Sequence, residues 1–333
     1  MIQIIFTGKY SGKTSIRKVI FDKIPPYEVE LNKQTNQEYH TQLYLFGYCK
    51  LNITELSSCF SFKKNKEYEK YLIKCNILIF IIDYKESTKS QIDYFKENIL
   101  PILNKYKPKF FYIFIHKIDN YNRNSILQSQ YNDEANKIQN SIIKTYSEFD
   151  KTLDIDEFKK NFFITSIYDS SLYEAFSTIL QNIIPQNQNL SILIDLVRKN
   201  CNIDNAYLFD INNKFCLAYS SLSKKGNMFE ICLNMINFAV EMSNIYDEND
   251  ESNDNNNNND NDNDNFDEDM DYSLEIKNFK NGLPDSKSIV FFKYIYKNLA
   301  LISIIGKEKY ERKNLIEINI NKFKQGVFRI FKK

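Results

Sequence analysis

Hydrophobic positions fall into two regimes along the chain. From Ile2 to Pro185, short apolar runs alternate with longer amphipathic stretches. Ile2 to Phe6, Ile77 to Ile82, Phe110 to Ile115 and Phe162 to Thr165 are brief and rich in Ile and Phe, which predicts buried strands. Between them, Lys13 to Phe21, Ser90 to Tyr106, Ser125 to Tyr146 and Ser171 to Ile184 carry apolar residues at helical spacing. A strand that is apolar at every position is covered on both faces. The alternation therefore predicts an α/β unit, a parallel-dominated sheet between helical layers. Residues 23 to 74 follow neither period, and switch-like loops with weak strands are expected there.

Pro185 closes that regime and Gln186-Asn187-Gln188-Asn189 forms a polar link. Beyond it the pattern predicts a helix (Leu190 to Lys199), strands (Ala206 to Asp210, Phe215 to Ser220), a helix (Met228 to Ile245) and strands (Leu274 to Phe279, Ile289 to Tyr296, Leu299 to Ile305). A final helix carries Ile316, Ile320, Phe323, Val327 and Ile330 on one stripe. The order αββαβββα implies a small α+β domain with an antiparallel sheet, so domains at 1–187 and 188–333 are expected. Residues 247 to 271 hold 9 Asp, 3 Glu and 10 Asn, too polar to bury a core. They read as a disordered acidic insertion, most simply a low-complexity expansion.

With 333 residues and 43% hydrophobic content, the chain can bury two cores, which excludes a fibrous or wholly disordered protein. The net charge of +1 hides a split: without the twelve acids of the tract, 44 Lys and Arg face 31 Asp and Glu. Those cations are dispersed on the surface and not interleaved with aromatics, so no nucleic-acid partner is expected. Six cysteines without C-x-x-C spacing and only two histidines argue against a zinc site and for reduced thiols. No apolar run approaches the ~18 residues of a membrane span, and neither end carries a lipidation signal. A cytoplasmic protein follows, whose membrane residence is borrowed from a partner.

Glycine is scarce: 7 residues, where the usual roughly 7% would give about 23. Two of them stand in Thr7-Gly8-Lys9-Tyr10-Ser11-Gly12-Lys13-Thr14, after a predicted strand and before a predicted helix. That is the context of a P-loop, in which successive N–H groups and a helix N-terminus face phosphates. The expected phosphate-binding set is Gly8, Ser11, Gly12, Lys13, Thr14 and Ser15, with Lys13 on the β and γ oxygens and the Thr14 hydroxyl on Mg²⁺. The pattern G-x-x-x-x-G-K-S/T places its first glycine at Thr7, one position before Gly8, so strain is expected where the loop begins.

His116-Lys117-Ile118-Asp119 ends the predicted fifth strand. The Asp119 carboxylate can accept from guanine N1–H and its amino group, Lys117 can cover the ring, and His116 stands where small GTPases carry Asn. Thr165-Ser166-Ile167 after the sixth strand would complete the pocket through backbone N–H groups of Ser166 and Ile167, or be a structural turn. Together with Tyr168-Asp169, Glu174-Ala175-Phe176-Ser177, Ile184-Pro185-Gln186 and Ala206-Tyr207-Leu208-Phe209-Asp210, these strings resemble the Rag GTPase family, in particular its RagC/D branch.

The resemblance implies a Ras-like G domain followed by a roadblock-type, longin-like domain, with GTP or GDP and Mg²⁺ as ligands. It also implies a heterodimer with a RagA/B-type GTPase through residues 188–333, contact with a Ragulator-like scaffold, and nutrient signalling to the TOR complex at lysosomal or vacuolar membranes. Thr35 matches the switch I threonine of that family in position.

Hydrolysis requires D-x-x-G after the third strand: the Asp holds Mg²⁺ through water, the Gly amide senses the γ-phosphate, and a following Gln orients water. The family carries D-x-P-G-Q. Here the corresponding stretch is read as Phe46-Gly47-Tyr48-Cys49-Lys50-Leu51, and no Asp lies between Asp22 and Asp83. Nucleotide binding with weak or absent hydrolysis is therefore expected, and no catalytic residue is assigned. Two other readings stay open: a pseudo-GTPase scaffold without nucleotide, and a P-loop kinase or ATPase, against which His116 to Asp119 argues.

Overall fold

The computed structural model describes residues 1–29, 39–45, 49–64, 66–119, 125–221, 227–250, 271–280 and 283–332. Thr35, Gly47 and residues 251–270 of the acidic tract lie outside them. The chain divides into two compact units, Met1–Ala175 and Phe176–Lys333.

The first unit runs β1 (Ile2–Thr7), α1 (Lys13–Ile20), β2 (Tyr39–Leu45), β3 (Cys49–Glu55), α2 (Glu69–Leu72), β4 (Ile77–Asp83), α3 (Thr88–Tyr94), α4 (Leu100–Tyr106), β5 (Phe110–His116), α5 (Ser125–Phe149), α6 (Ile155–Lys159), β6 (Phe162–Thr165) and α7 (Ser171–Ile183). Six strands form one sheet in the order β2-β3-β1-β4-β5-β6. All neighbours are parallel except β2, which is antiparallel to β3 at the edge. Every residue of β4 is buried, as expected for a strand between two helical layers.

One face of β4 sends Leu78, Phe80 and Ile82 into a core with Phe95, Ile113, Ile115, Ile138 and Ile142. Phe80 packs its ring against Tyr94 and Phe95, each with centroids 5.9 Å away.

Two departures from the sequence pattern have local causes. The expected helix Ser90 to Tyr106 is interrupted by a π-helical turn, Phe95–Ile99, which ends two residues before Pro101. Proline cannot donate to the preceding turn and crowds its carbonyl, so the wider turn absorbs it and α4 restarts with Pro101 in its first turn. The weak strands expected within 23–74 are full seven-residue strands, β2 and β3, whose pairing supplies what their mixed sequences do not.

The second unit takes the later part of α7, then α8 (Asn187–Cys201), β7 (Asn205–Asp210), β8 (Phe215–Tyr219), α9 (Asn227–Asp250), β9 (Asp271–Lys280), β10 (Leu283–Tyr296), β11 (Leu299–Gly306), α10 (Lys307–Tyr310) and α11 (Lys313–Phe331). Its five strands are antiparallel in the order β8-β7-β11-β10-β9. The division falls inside α7 because that helix's later residues belong to β8: Phe176 packs on Phe215, and Ser177 Oγ accepts from the Cys216 N–H at 2.9 Å.

Helices α8 and α11 pack together. A Cβ on Gly326 would lie only 3.0 Å from Leu193 Cδ1, so α8 and α11 come close there. Phe229 of α9 packs its ring at a tilt against Phe209 of the sheet, centroids 5.4 Å apart.

The acidic tract is corrected at both ends. Helix α9 continues through residues 247–250, and Asp271 already pairs with Lys293 in β9. Burial of Phe229, Cys232 and Ile236 holds the first half of α9 against the unit, the tertiary packing that gives a helix most of its stability.

Truncating Phe80 removes a fully buried ring from the first core. Phe80→Ala is expected to lose about 3–5 kcal/mol of unfolding free energy, read from the urea midpoint of the full chain.

Candidate functional site

In an open α/β sheet, ligands bind beyond the carboxyl ends of the strands. At that edge β1 delivers the loop from Gly8 to Gly12, while Asp83, His116 and Thr165 lie side by side in register at the ends of β4, β5 and β6. The two glycines stand where no other residue fits. Gly8 has φ +142°, and a Cβ on it would sit 2.1 Å from the Ile81 carbonyl oxygen. Gly12 has φ +85°, and its Cβ would sit 2.9 Å from His116 Cδ2.

Thr7, where a first glycine was expected, is instead the last residue of β1. It is fully buried, with Oγ1 3.2 Å from the Tyr94 hydroxyl. The positive φ needed to leave the strand falls on Gly8, so the shift by one position leaves the turn its glycine.

Lys13 opens α1 and folds back over the loop, its Nζ donating to the Gly8 carbonyl at 2.5 Å. Burial pushes its pKa down to about 8, while Glu55 and Cys59 pull it up and Lys117 lowers it further. Ser11 Oγ is buried without a hydrogen-bond partner among the described residues. A desolvated ammonium and an unpartnered buried hydroxyl in one glycine cradle fit an anion such as a phosphate chain.

The second half of the site comes from the ends of β5 and β6. Lys117 adopts φ 68° and donates from Nζ to Asp83 Oδ2 at 2.5 Å and to the Tyr10 carbonyl at 3.2 Å, tying the loop to two strands. His116 is buried with Nδ1 3.0 Å from Thr165 Oγ1. Burial, reinforced by Lys117, pushes its pKa down to about 3, so the ring is neutral.

Asp119 accepts from Ser166 Oγ at 2.7 Å, which fixes its carboxylate. Ser166 thus acts through its side chain, and its N–H is engaged by Ser171 Oγ at 2.9 Å. Ile167 is buried beside it.

The structure moves the third-strand acid. In register with β1, Leu51 pairs with Ile2 at the far end of the sheet, whereas Glu55 pairs with Phe6 next to the loop. Cys49 to Leu51 therefore begin β3 at the end of the sheet away from the loop. The counterpart of D-x-x-G is Glu55-Leu56-Ser57-Ser58, followed by Cys59. An acid is present, one methylene longer than Asp; Ser58 stands in place of Gly and Cys59 in place of Gln.

Glu55 is buried, accepts a hydrogen bond from Thr14 Oγ1 and lies 3.6 Å from Arg17 Nε. Sequence reasoning missed Glu55 because only Asp was sought. No local signal marks it, because the register that brings it to the loop is set by strand pairing. Arg17 and Tyr94, also missed, carry no motif at all.

No group of three or more His, Cys, Asp or Glu able to hold a metal exists among the described residues. The oxygen donors of Thr14 and Glu55 nevertheless suit Mg²⁺, which takes one or two protein ligands and completes its shell with phosphates and water.

Residues 3–236 match the family model described as the Gtr1/RagA G protein conserved region. The chain therefore belongs to this Rag/Gtr family of GTP-binding proteins. Its relatives point to the RagC/D branch. The chain is 25% identical to Ras-related GTP-binding protein C of Homo sapiens, covering 99% of this chain and 76% of that protein. It is 27% identical to Ras-related GTP-binding protein D of Mus musculus, over 99% and 68%. With GTP-binding protein gtr2 of Schizosaccharomyces pombe it shares 24% identity over 99% and 98%.

A neutral buried His116 makes stability depend on acid. The unfolded chain takes up this proton near pH 6.5 and the folded chain only near pH 3, so stability falls as pH drops through that window, by at most about 1.4 kcal/mol per unit. Urea midpoints at pH 7 and 5 should show a smaller difference in His116→Asn than in the wild type; equal differences would contradict a neutral ring. Gly8→Ala should lower the melting temperature more than Gly326→Ala, since only the former meets a backbone carbonyl.

Proposed function

We propose that the chain is the RagC/D-type guanine-nucleotide-binding subunit of a Rag heterodimer, with weak or absent intrinsic hydrolysis. The observation that carries this reading is the convergence on one sheet edge of a buried lysine, an unpartnered buried serine and two glycines with no room for a side chain. Asp119, braced by Ser166, lies on the same edge. The loop amides and Lys13 would hold the phosphates, and Asp119 would accept from the guanine N1–H and amino group. Lys117 would cover the ring, with His116 and Ile167 lining the base pocket. Adenine offers no such donor pair, which disfavours a kinase or ATPase.

A bound Mg²⁺ would neutralise charge on the phosphates. Thr14 would face it while its hydroxyl donates a hydrogen bond to Glu55. Weak hydrolysis is supported by Ser58 and Cys59, which supply neither the glycine that approaches a γ-phosphate nor an amide to orient water. The same substitutions favour the second reading, a scaffold that binds no nucleotide.

The relatives' family role supports a RagA/B-type GTPase as partner through residues 188–333, a Ragulator-like scaffold, and nutrient signalling to the TOR complex. Recruitment to a lysosomal or vacuolar membrane would then come through partners. No helix among the described residues is long and apolar enough to cross a membrane.

Denaturing extraction of the purified protein followed by chromatography is expected to release GDP or GTP near one per chain; none at that level supports the scaffold instead. Lys13→Ala should weaken binding about 10- to 100-fold, the loss of a charged hydrogen bond. Asp119→Asn should lose guanine nucleotide and gain xanthine nucleotide, because an amide donor then meets the xanthine carbonyl. Multiple turnover of GTP by the wild type, abolished in Lys13→Ala, would refute weak hydrolysis. Co-purification with a second small GTPase, lost when residues 188–333 are deleted, tests the heterodimer.

A further inference from the structure

We infer that Tyr94 is a positioning residue of the phosphate loop, holding the Gly8 peptide and through it the Lys13 ammonium; this rests on the nucleotide reading above. The Tyr94 hydroxyl lies 3.2 Å from Thr7 Oγ1 and is bonded to the Gly8 backbone. The carbonyl of the same Gly8 accepts from Lys13 Nζ at 2.5 Å. One glycine is thus gripped from two sides, by a side chain of α3 and by the lysine that would hold the phosphates. Neither Tyr94 nor Thr7 belongs to the phosphate-loop pattern. Thr7 stands where that pattern has a glycine, which would supply no hydroxyl.

A clamp needs a fixed base, and Tyr94 has one. Its ring stacks on Phe80 of β4, with centroids 5.9 Å apart and planes inclined by 12°. Its carbonyl accepts from Asn98 Nδ2 at 3.3 Å within the π-helical turn, and Asn98 Oδ1 accepts from the Phe62 N–H at 2.9 Å. Burial pushes the phenol pKa up to about 12, opposed by the bonds to Thr7 and Gly8, so the hydroxyl keeps its proton. Gly8 has φ +142°, and glycine is the residue with the most backbone freedom to lose. Without a bond from outside the loop, its peptide could rotate and carry the Lys13 anchor with it. Tyr94 removes that freedom. Residues that share a hydrogen-bond network act non-additively, which makes the link measurable.

The test measures equilibrium binding of fluorescent mant-GDP to the full chain in two mutant cycles. Tyr94→Phe keeps the ring against Phe80 and removes only the hydroxyl; it should weaken binding about 3- to 10-fold, the span of one hydrogen bond. In a Lys13→Ala background the same change should weaken binding less than about 2-fold, because the lysine it positions is gone. Thr7→Val, which removes the other hydroxyl, should give a similar loss. Combined with Tyr94→Phe, it should lose no more than about the larger single loss. Equal losses from Tyr94→Phe with and without Lys13, or additive losses in the Thr7 cycle, mark a merely structural tyrosine and overturn the inference. Wild-type affinity in Tyr94→Phe overturns it as well, and all three outcomes leave nucleotide binding intact. A wild type that binds no mant-GDP overturns the nucleotide reading itself, and this inference with it.

Discussion

The loop between β1 and α1 lies against the ends of its neighbouring strands so closely that side chains are excluded at two points. The Ile81 carbonyl occupies the space a Cβ would need at Gly8, and the His116 ring occupies it at Gly12. The left-handed turn at Gly12 starts α1 with Lys13 as its first residue. Thr7, Tyr94, His116 and Lys117 all hold this approach in place, through the Thr7–Tyr94 contact, the His116–Thr165 contact and the Lys117 bond to the Tyr10 carbonyl.

Charge is distributed around that loop in the same spirit. Lys13 is buried with a carbonyl as its direct partner, a costly arrangement for an ammonium. Asp83 is answered by Lys117, and Glu55 by Arg17 and Thr14. The acids at the rim are thus matched by neighbours, whereas the central cation keeps positive potential toward the cradle. Such a pattern fits an anionic ligand better than a cationic one.

Legibility followed burial. β1, β4 and β5 are apolar along almost their whole length, and their positions could be read directly. β3 alternates Leu51 and Ile53 with Asn52 and Thr54 and ends in a charge, so its extent depends on pairing with β1 and β2. That gap in the pattern misplaced the third-strand acid: without the register, nothing distinguishes residues 46–51 from residues 55–59 as the end of the strand near the loop. Compactness divides the chain within α7, where Phe176 and Ser177 pack on and bond β8, a long-range contact invisible in composition.

The sequence by itself determined the alternation of strands and helices, the antiparallel second unit, the glycines and lysine of the loop and the acid just beyond β5. Each of these rests on local periodicity or on residues adjacent in the chain. Only the tertiary structure decided that Gly8 serves where Thr7 was expected to, that Ser166 braces Asp119 by its hydroxyl, and that Glu55 meets Thr14 and Arg17. These depend on which strand ends lie side by side. Register between β1 and β3 is a property of hydrogen-bonded pairing over nearly fifty residues of chain, and no local pattern encodes it.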